Sequence, residues 1–155
     1  MNLTHLPLRL ATGAFILNSG VGKLSADAQT AEFLHSSASG AYPFLKDLQP
    51  KTFAQLLSYG EIALGSALLL PKVPATVAGA ALTGFGAGLV GLYLRTPGMT
   101  QADGIRPTQE GTAVAKDIWL VGAGLTLMTQ GVVSGAKSVA KSASKKIDKA
   151  NPFTS

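Results

Sequence analysis

The chain has no cysteine, which excludes disulfides, thiol redox centres and thiolate-held iron–sulfur clusters. It has little charge: 14% of its 155 residues are Asp, Glu, Lys or Arg, where a soluble domain carries roughly 25%. Aromatic residues make up 6%, with a single Trp, and there are two histidines, His5 and His35. So few charges cannot clothe a soluble exterior around a composition that is 46% apolar. What is abundant instead is glycine, at 18 residues. Small residues with few charges suit helices packed in lipid, where close backbone approach supplies the attraction.

Four apolar stretches emerge, at about 6–24, 52–70, 76–94 and 112–133. At 1.5 Å per residue each covers about 30 Å, the thickness of a hydrocarbon core. The expected fold is all-α: an integral membrane four-helix bundle over residues 1–133, followed by a basic C-terminal tail, 134–155, able to form an amphipathic helix. Pro7 fits the first position of the first helix, and Pro71 stops the second. The short link from Pro71 to Ala75 makes spans two and three an antiparallel hairpin. Residues 25–51 form a long polar connection able to hold a short interfacial helix, and 95–111 read as turns. Arg9, a short apolar run and Ala26-Asp27-Ala28 imitate a secretory leader, but Asn18 and Ser19 break the run and Lys23 falls near the cut.

An even number of spans puts both termini on one side. Five of the 13 Lys and Arg residues lie between Lys137 and Lys149, and this density favours cytoplasmic N and C termini in a bacterial inner membrane. Lys137, Lys141, Lys145 and Lys149 recur every four residues, with Val139, Ala143 and Ile147 on a second row. This pattern is suited to anionic lipid headgroups or an acidic partner subunit. No aromatic platform accompanies the lysines, so nucleic acid is not an expected partner.

Glu61 raises the sharpest question, because it stands inside "SYGEIALGSALLLP", residues 58–71. It lies roughly 13 Å along its span. An ionisable group at that depth costs about 2.5–3.5 kcal/mol on insertion scales, and it normally faces the bundle interior with a partner. Counting depth along antiparallel spans brings Asn18 and Lys23 of span one, and Lys116 and Asp117 of span four, to the level of Glu61. A Glu61–Lys23 or Glu61–Lys116 pair, with Asn18 as hydrogen-bond donor, follows. Such a cluster fixes helix register or forms a pocket for a lipid headgroup or a quinone ring; the third alternative is a protonated, unpaired Glu61, since burial without a cation disfavours the charged form of a carboxyl group. Arg9 reads as an anchor at the opposite face, and Lys116-Asp117 beside Trp119 can also anchor at an interface. Ala80, Gly84 and Gly88 form a small-xxx-small stripe that permits tight helix contact, with another span of this chain favoured over another subunit as its partner. Gly86-x-Gly88-x-x-Gly91 matches a dinucleotide fingerprint but lacks the preceding strand that this chemistry needs. The two histidines fall on opposite sides of this topology, so neither an intramembrane bis-histidine haem nor a metal site is expected.

"LRLATGAFILNSGVGKL" (8–24), "YGEIALGSALLLP" (59–71) and "VAKDIWLVGAGLTLM" (114–128) together resemble the DoxX/DoxD-like bacterial membrane proteins. In that family span one opens with Arg-Leu and ends in a Gly-x-x-Lys-Leu pattern. Span two carries a glutamate before a glycine- and leucine-rich run, and span four opens with Lys-Asp. Arg9, Asn18, Gly20, Lys23, Glu61, Gly65, Lys116 and Asp117 occupy the matching positions. The resemblance implies a four-helix membrane protein, with some members tied to quinone-linked thiosulfate oxidation and others to oxidative-stress complexes. The lysine tail and the loop at 25–51 depart from the pattern. Three functions are therefore expected in turn. The first is a non-enzymatic accessory or scaffold subunit of a respiratory or redox-linked membrane complex. The second is a quinone-linked oxidoreductase subunit, which would need its redox group from a partner or a bound substrate. The third is a small transporter or holin-like pore.

Overall fold

The computed structural model describes residues 5–150, with side chains described through residue 146. Every regular element among them is helical: α1 (Leu6–Lys23), α2 (Ala28–Ala41), a 3₁₀ turn (Pro43–Leu45), α3 (Pro50–Leu69), α4 (Ala75–Arg95), α5 (Thr112–Ala115) and α6 (Ile118–Ala150).

Local chemistry sets the boundaries. Prolines open α1 and α3, where a missing N–H costs nothing. Asp27 caps α2, its carboxylate accepting from the Thr30 N–H at 2.8 Å. Beyond Leu69 the backbone turns extended at Leu70, and Pro71 cannot continue the helix. The segment at 25–51 does hold a helix, and the segment at 95–111 is a loop pinned by an isolated Thr100–Pro107 bridge.

The expected hairpin of spans two and three is present as a chain reversal but not as the main packing unit. α3 lies chiefly along α1, and α4 chiefly along α6, while α3 and α4 touch sparsely. Glycine decides this. A Cβ on Gly65 would fall 2.6 Å from the Leu17 backbone nitrogen, and one on Gly79 would fall 2.5 Å from that of Met128. Only bare backbone lets the axes approach so closely, and the two helix pairs form where such positions face each other. Ile16, Leu64, Leu68, Ala78, Leu82, Leu120 and Leu127 then make a single buried cluster joining the pairs.

Two segments are long and apolar enough to cross a membrane: Ala75–Arg95, and the 35-residue segment Thr112–Lys146. α1 and α3 have 18 and 20 residues but carry Arg9, Lys23, Lys51 and Glu61. The basic tail continues α6 without a break to Ala150, so its 33 residues extend about 50 Å. Lys137, Lys141 and Lys145 are exposed along it. The side chain of Lys149 and the last five residues of the chain lie outside what is described.

Candidate functional site

α1 and α3 build the charged part of the site. Gly20 lets α1 sit against α3 at the level of Glu61: a Cβ there would meet the Ile62 nitrogen at 2.8 Å and the Glu61 Cβ at 2.9 Å. One turn further on, Lys23 reaches across. Its ammonium donates to Glu61 Oε2 at 2.8 Å and to Oε1 at 3.1 Å. A third donation goes to Ser19 Oγ at 2.6 Å. Glu61 is 5% exposed, whereas the Lys23 side chain retains 21%. The carboxylate is therefore the interior partner, and the lysine reaches in from the rim. Ser58, fully buried next to this pair, donates to the Gly20 carbonyl at 2.8 Å.

Of the two pairings expected for Glu61, the one with Lys23 forms and the one with Lys116 does not. Asn18 is not the hydrogen-bonding neighbour; it is exposed, and Ser19 takes that place. One residue along a helix is a rotation of about 100°, so Asn18 has the right depth and the wrong direction.

Lys116 and Asp117 come to the same place from the break between α5 and α6. They share with Lys23, Glu61 and Ser19 a partly open cleft of about 610 Å³ between the two helix pairs. The rest of its wall is apolar and aromatic, with Phe15, Phe33, Phe53, Phe85 and Leu89 among the lining residues. A few charged groups in the wall of an otherwise largely apolar cavity of this size are what small amphiphilic ligands require. Trp119, expected as an interfacial anchor, points outward and is 62% exposed.

For Gly84 and Gly88 the favoured partner is another span of this chain, and their position corrects that half of the expectation. Both are exposed, a Cβ on either would meet nothing within 4 Å, and both line the cleft. Ala80 is exposed as well. The helix contact uses Gly79 and Gly86 instead, on the other face of α4, against Gly124, Leu127, Met128, Leu120 and Val121. The stripe gives room rather than contact. Tyr42 closes the cleft at the α2 end. Its hydroxyl donates to the Gly88 carbonyl at 2.8 Å, and the Arg95 guanidinium lies 5.2 Å from its ring centre.

Arg9 is not the interfacial anchor that its position in the sequence implies. It is 2% exposed and turned against the end of α3. Its guanidinium donates to the carbonyls of Leu68 (2.6 Å), Ala67 (2.8 Å), Leu70 (2.8 Å) and Val73 (3.0 Å). Helix C-terminal carbonyls lack intrahelical donors and carry partial negative charge. Here a cation from the neighbouring helix satisfies them where Pro71 and Pro74 cannot. Proline at both ends of the α3–α4 link was the available signal for such a role.

His5 and His35 are both buried. The His35 Nε2 lies 2.9 Å from the Leu45 carbonyl and its ring meets Phe53 edge-on. Among the described residues no three His, Asp or Glu side chains gather as metal ligands would. No family model, curated protein or solved structure matches this chain.

Proposed function

We propose that this chain is a DoxX/DoxD-like accessory or scaffold subunit of a bacterial inner-membrane complex, respiratory or redox-linked. It would cross the bilayer four times, with α1, α3, α4 and the first part of α6 as the spans. In this reading both termini are cytoplasmic, the Lys23–Glu61 end of the cleft lies toward the outer leaflet, and the cleft holds a lipid headgroup or a quinone ring. The observation that carries the reading is the cleft itself: two lysines and two carboxylates in the wall of a largely apolar cavity, contributed by α1, α3 and the α5–α6 junction. An ion pair needed only for register would be packed shut. This one opens onto a volume large enough for a ligand.

The four-span assignment is supported by the outward faces. Leu10, Val21, Leu56, Val77, Leu125 and Val132 are all exposed, and they are distributed over α1, α3, α4 and α6. Acyl chains cover such side chains without cost, whereas water would not. The lysine-bearing end of α6 extends beyond a 30 Å core by about 20 Å, where it meets anionic headgroups or an acidic subunit.

The test is purification of the full chain in mild detergent, followed by identification of stoichiometric partners and of solvent-extracted lipid and quinone. A partner subunit and a retained amphiphile are expected. Glu61→Gln should lower the melting temperature and release the amphiphile, because Lys23 loses its countercharge. A lone monomer that carries nothing, and an unchanged melt in the variant, would remove both the subunit role and the pocket.

A further inference from the structure

The charges facing the cleft are two lysines, Lys23 and Lys116, against two carboxylates, Glu61 and Asp117. They sum to zero. A simple anion or cation bound there would leave one uncompensated charge in a poorly solvated place, which is costly. The ligand that fits is neutral overall.

The state of each charge narrows it further. Lys23 has its three ammonium hydrogens committed to Ser19 Oγ and the two Glu61 oxygens. It has none left for a ligand. Lys116 is exposed, and its ammonium, though its charge is felt by the adjacent Asp117, forms no ion pair or hydrogen bond with any described residue. On the acidic side, Glu61 receives only Lys23, and Asp117 has the charge of Lys116 nearby and the Trp119 side chain as its hydrogen-bonding neighbour. A carboxylate has about four acceptor sites, so both keep spare capacity. The unused functionality in the cleft wall is thus one set of ammonium donors and several carboxylate lone pairs. A ring with only carbonyl acceptors would engage the first and leave the second unmet. A head bearing an anion and, a few bonds away, an ammonium with N–H donors engages both. The aromatic and aliphatic wall beyond, which Gly84 and Gly88 keep wide, suits an acyl chain rather than water.

Resting on the cleft reading given above, we propose that the site takes one phosphoethanolamine-headed lipid, its phosphate on Lys116 and its ammonium between Asp117 and Glu61.

The experiment uses the full chain, delipidated in maltoside micelles. It is titrated with short-chain phosphatidylethanolamine, phosphatidylglycerol, phosphatidylcholine and free phosphoethanolamine. Bound lipid is read by native mass spectrometry and by the melting temperature. Phosphatidylethanolamine should bind one per chain and about tenfold more tightly than the other two lipids, a difference easily resolved. Free phosphoethanolamine should produce no shift. Lys116→Ala and Asp117→Asn, both at the rim and outside the helix contacts, should each erase the preference while the fold survives. Equal binding of the three headgroups, a preference for phosphatidylglycerol, or a shift by the free headgroup as large as the lipid's would overturn the assignment. Gly84→Leu, which fills the cleft, separates the two levels. If it abolishes binding of all lipids and no headgroup preference exists, the cleft stands and the headgroup assignment fails. If it leaves every bound amphiphile in place, the cleft is not the site.

Discussion

Between α1 and α3 the backbone approach at Gly13, Gly20 and Gly65 is reinforced by polar groups: four hydrogen bonds from Arg9, the Lys23–Glu61 pair, and Ser58 on the Gly20 carbonyl. Between α4 and α6 the same close approach occurs at Gly79, Gly86, Gly124 and Gly131 with no charged group in the contact. Both pairs therefore gain dispersion from glycine, but one of them also has directional bonds that fix rotation and register. The cleft lies between the two and takes something from each. The polar pair supplies Lys23 and Glu61. The other supplies the empty space at Gly84 and Gly88 and, from the junction that leads into α6, Lys116 and Asp117.

Arg9 offers the largest way to break that comparison. Arg9→Leu leaves the carbonyls of Ala67, Leu68 and Val73 without a donor, while Leu70 keeps the Val73 N–H. One unsatisfied buried group costs about 1–3 kcal/mol, and the losses here overlap because they share one side chain. We expect destabilisation of about 3 kcal/mol or more, read as loss of the monodisperse folded species on heating in detergent. Arg9→Lys should recover part of it, since an ammonium reaches fewer carbonyls than a guanidinium fork. A wild-type melt for Arg9→Leu would mean that the α3 end is solvated and that the two pairs are held alike.

How much of this could be read in the sequence depends on which coordinate is asked for. Position along a helix axis was legible. The 1.5 Å rise places Lys23, Lys116 and Asp117 at the level of Glu61 from counting alone, and they do share a cavity. Two helix ends were legible too, through Pro7 and Pro71, while the Pro50 start and the Asp27 cap went unread. Rotation about the axis was not. Asn18 and Ser19 have almost the same depth, and only the seating of α1 on α3 decides which of them meets Lys23. Gly79 and Gly86, against Gly84 and Gly88, pose the same problem on α4, a helix with no charged residue before Arg95 to mark an outward face. Arg9 failed for another reason. An arginine near a helix start looks like an interfacial anchor until the unsatisfied end of α3 is placed beside it.

A smaller effect sharpens the glycine half of the comparison. Gly65→Ala and Gly79→Ala each drive a Cβ into backbone of the facing helix, at 2.6 Å and 2.5 Å, where no side chain can move aside. Overpacking of this kind costs about 1–3 kcal/mol. Gly84→Ala meets open space and should melt within about 0.5 kcal/mol of the parent. The polar pair has its hydrogen bonds to hold register while the helices part slightly, so the same strain should disturb it less. Gly79→Ala is therefore expected to lower the melting temperature more than Gly65→Ala. The reverse order would mean that the hydrogen bonds of the first pair make it more brittle, not more tolerant.

The smallest effect concerns charge placed in water rather than between helices. In the loop after α4, the Asp103 carboxylate accepts from the Arg106 guanidinium and from the backbone N–H groups of Ile105 and Arg106. The Arg106 bond first, and the backbone bonds after it, hold the Asp103 carboxyl below its usual range. A lowered folded pKa stabilises the folded loop above the unfolded value of about 3.9, and that contribution is lost as pH falls through the lower folded value. From pH 8 to 5 the loop should be indifferent to pH. Below about 4 the Ile105 and Arg106 amide resonances should move together, with a midpoint below the ordinary aspartate value, and Asp103→Asn should abolish the transition. Tyr93 of α4, whose hydroxyl donates to the Ile105 carbonyl at 2.6 Å, would carry any disturbance into the second helix pair alone. A matching acid transition at Leu68 or Leu70, at the Arg9 end of the first pair, would show that the two pairs respond as one body and that the division between them is weaker than their contacts imply.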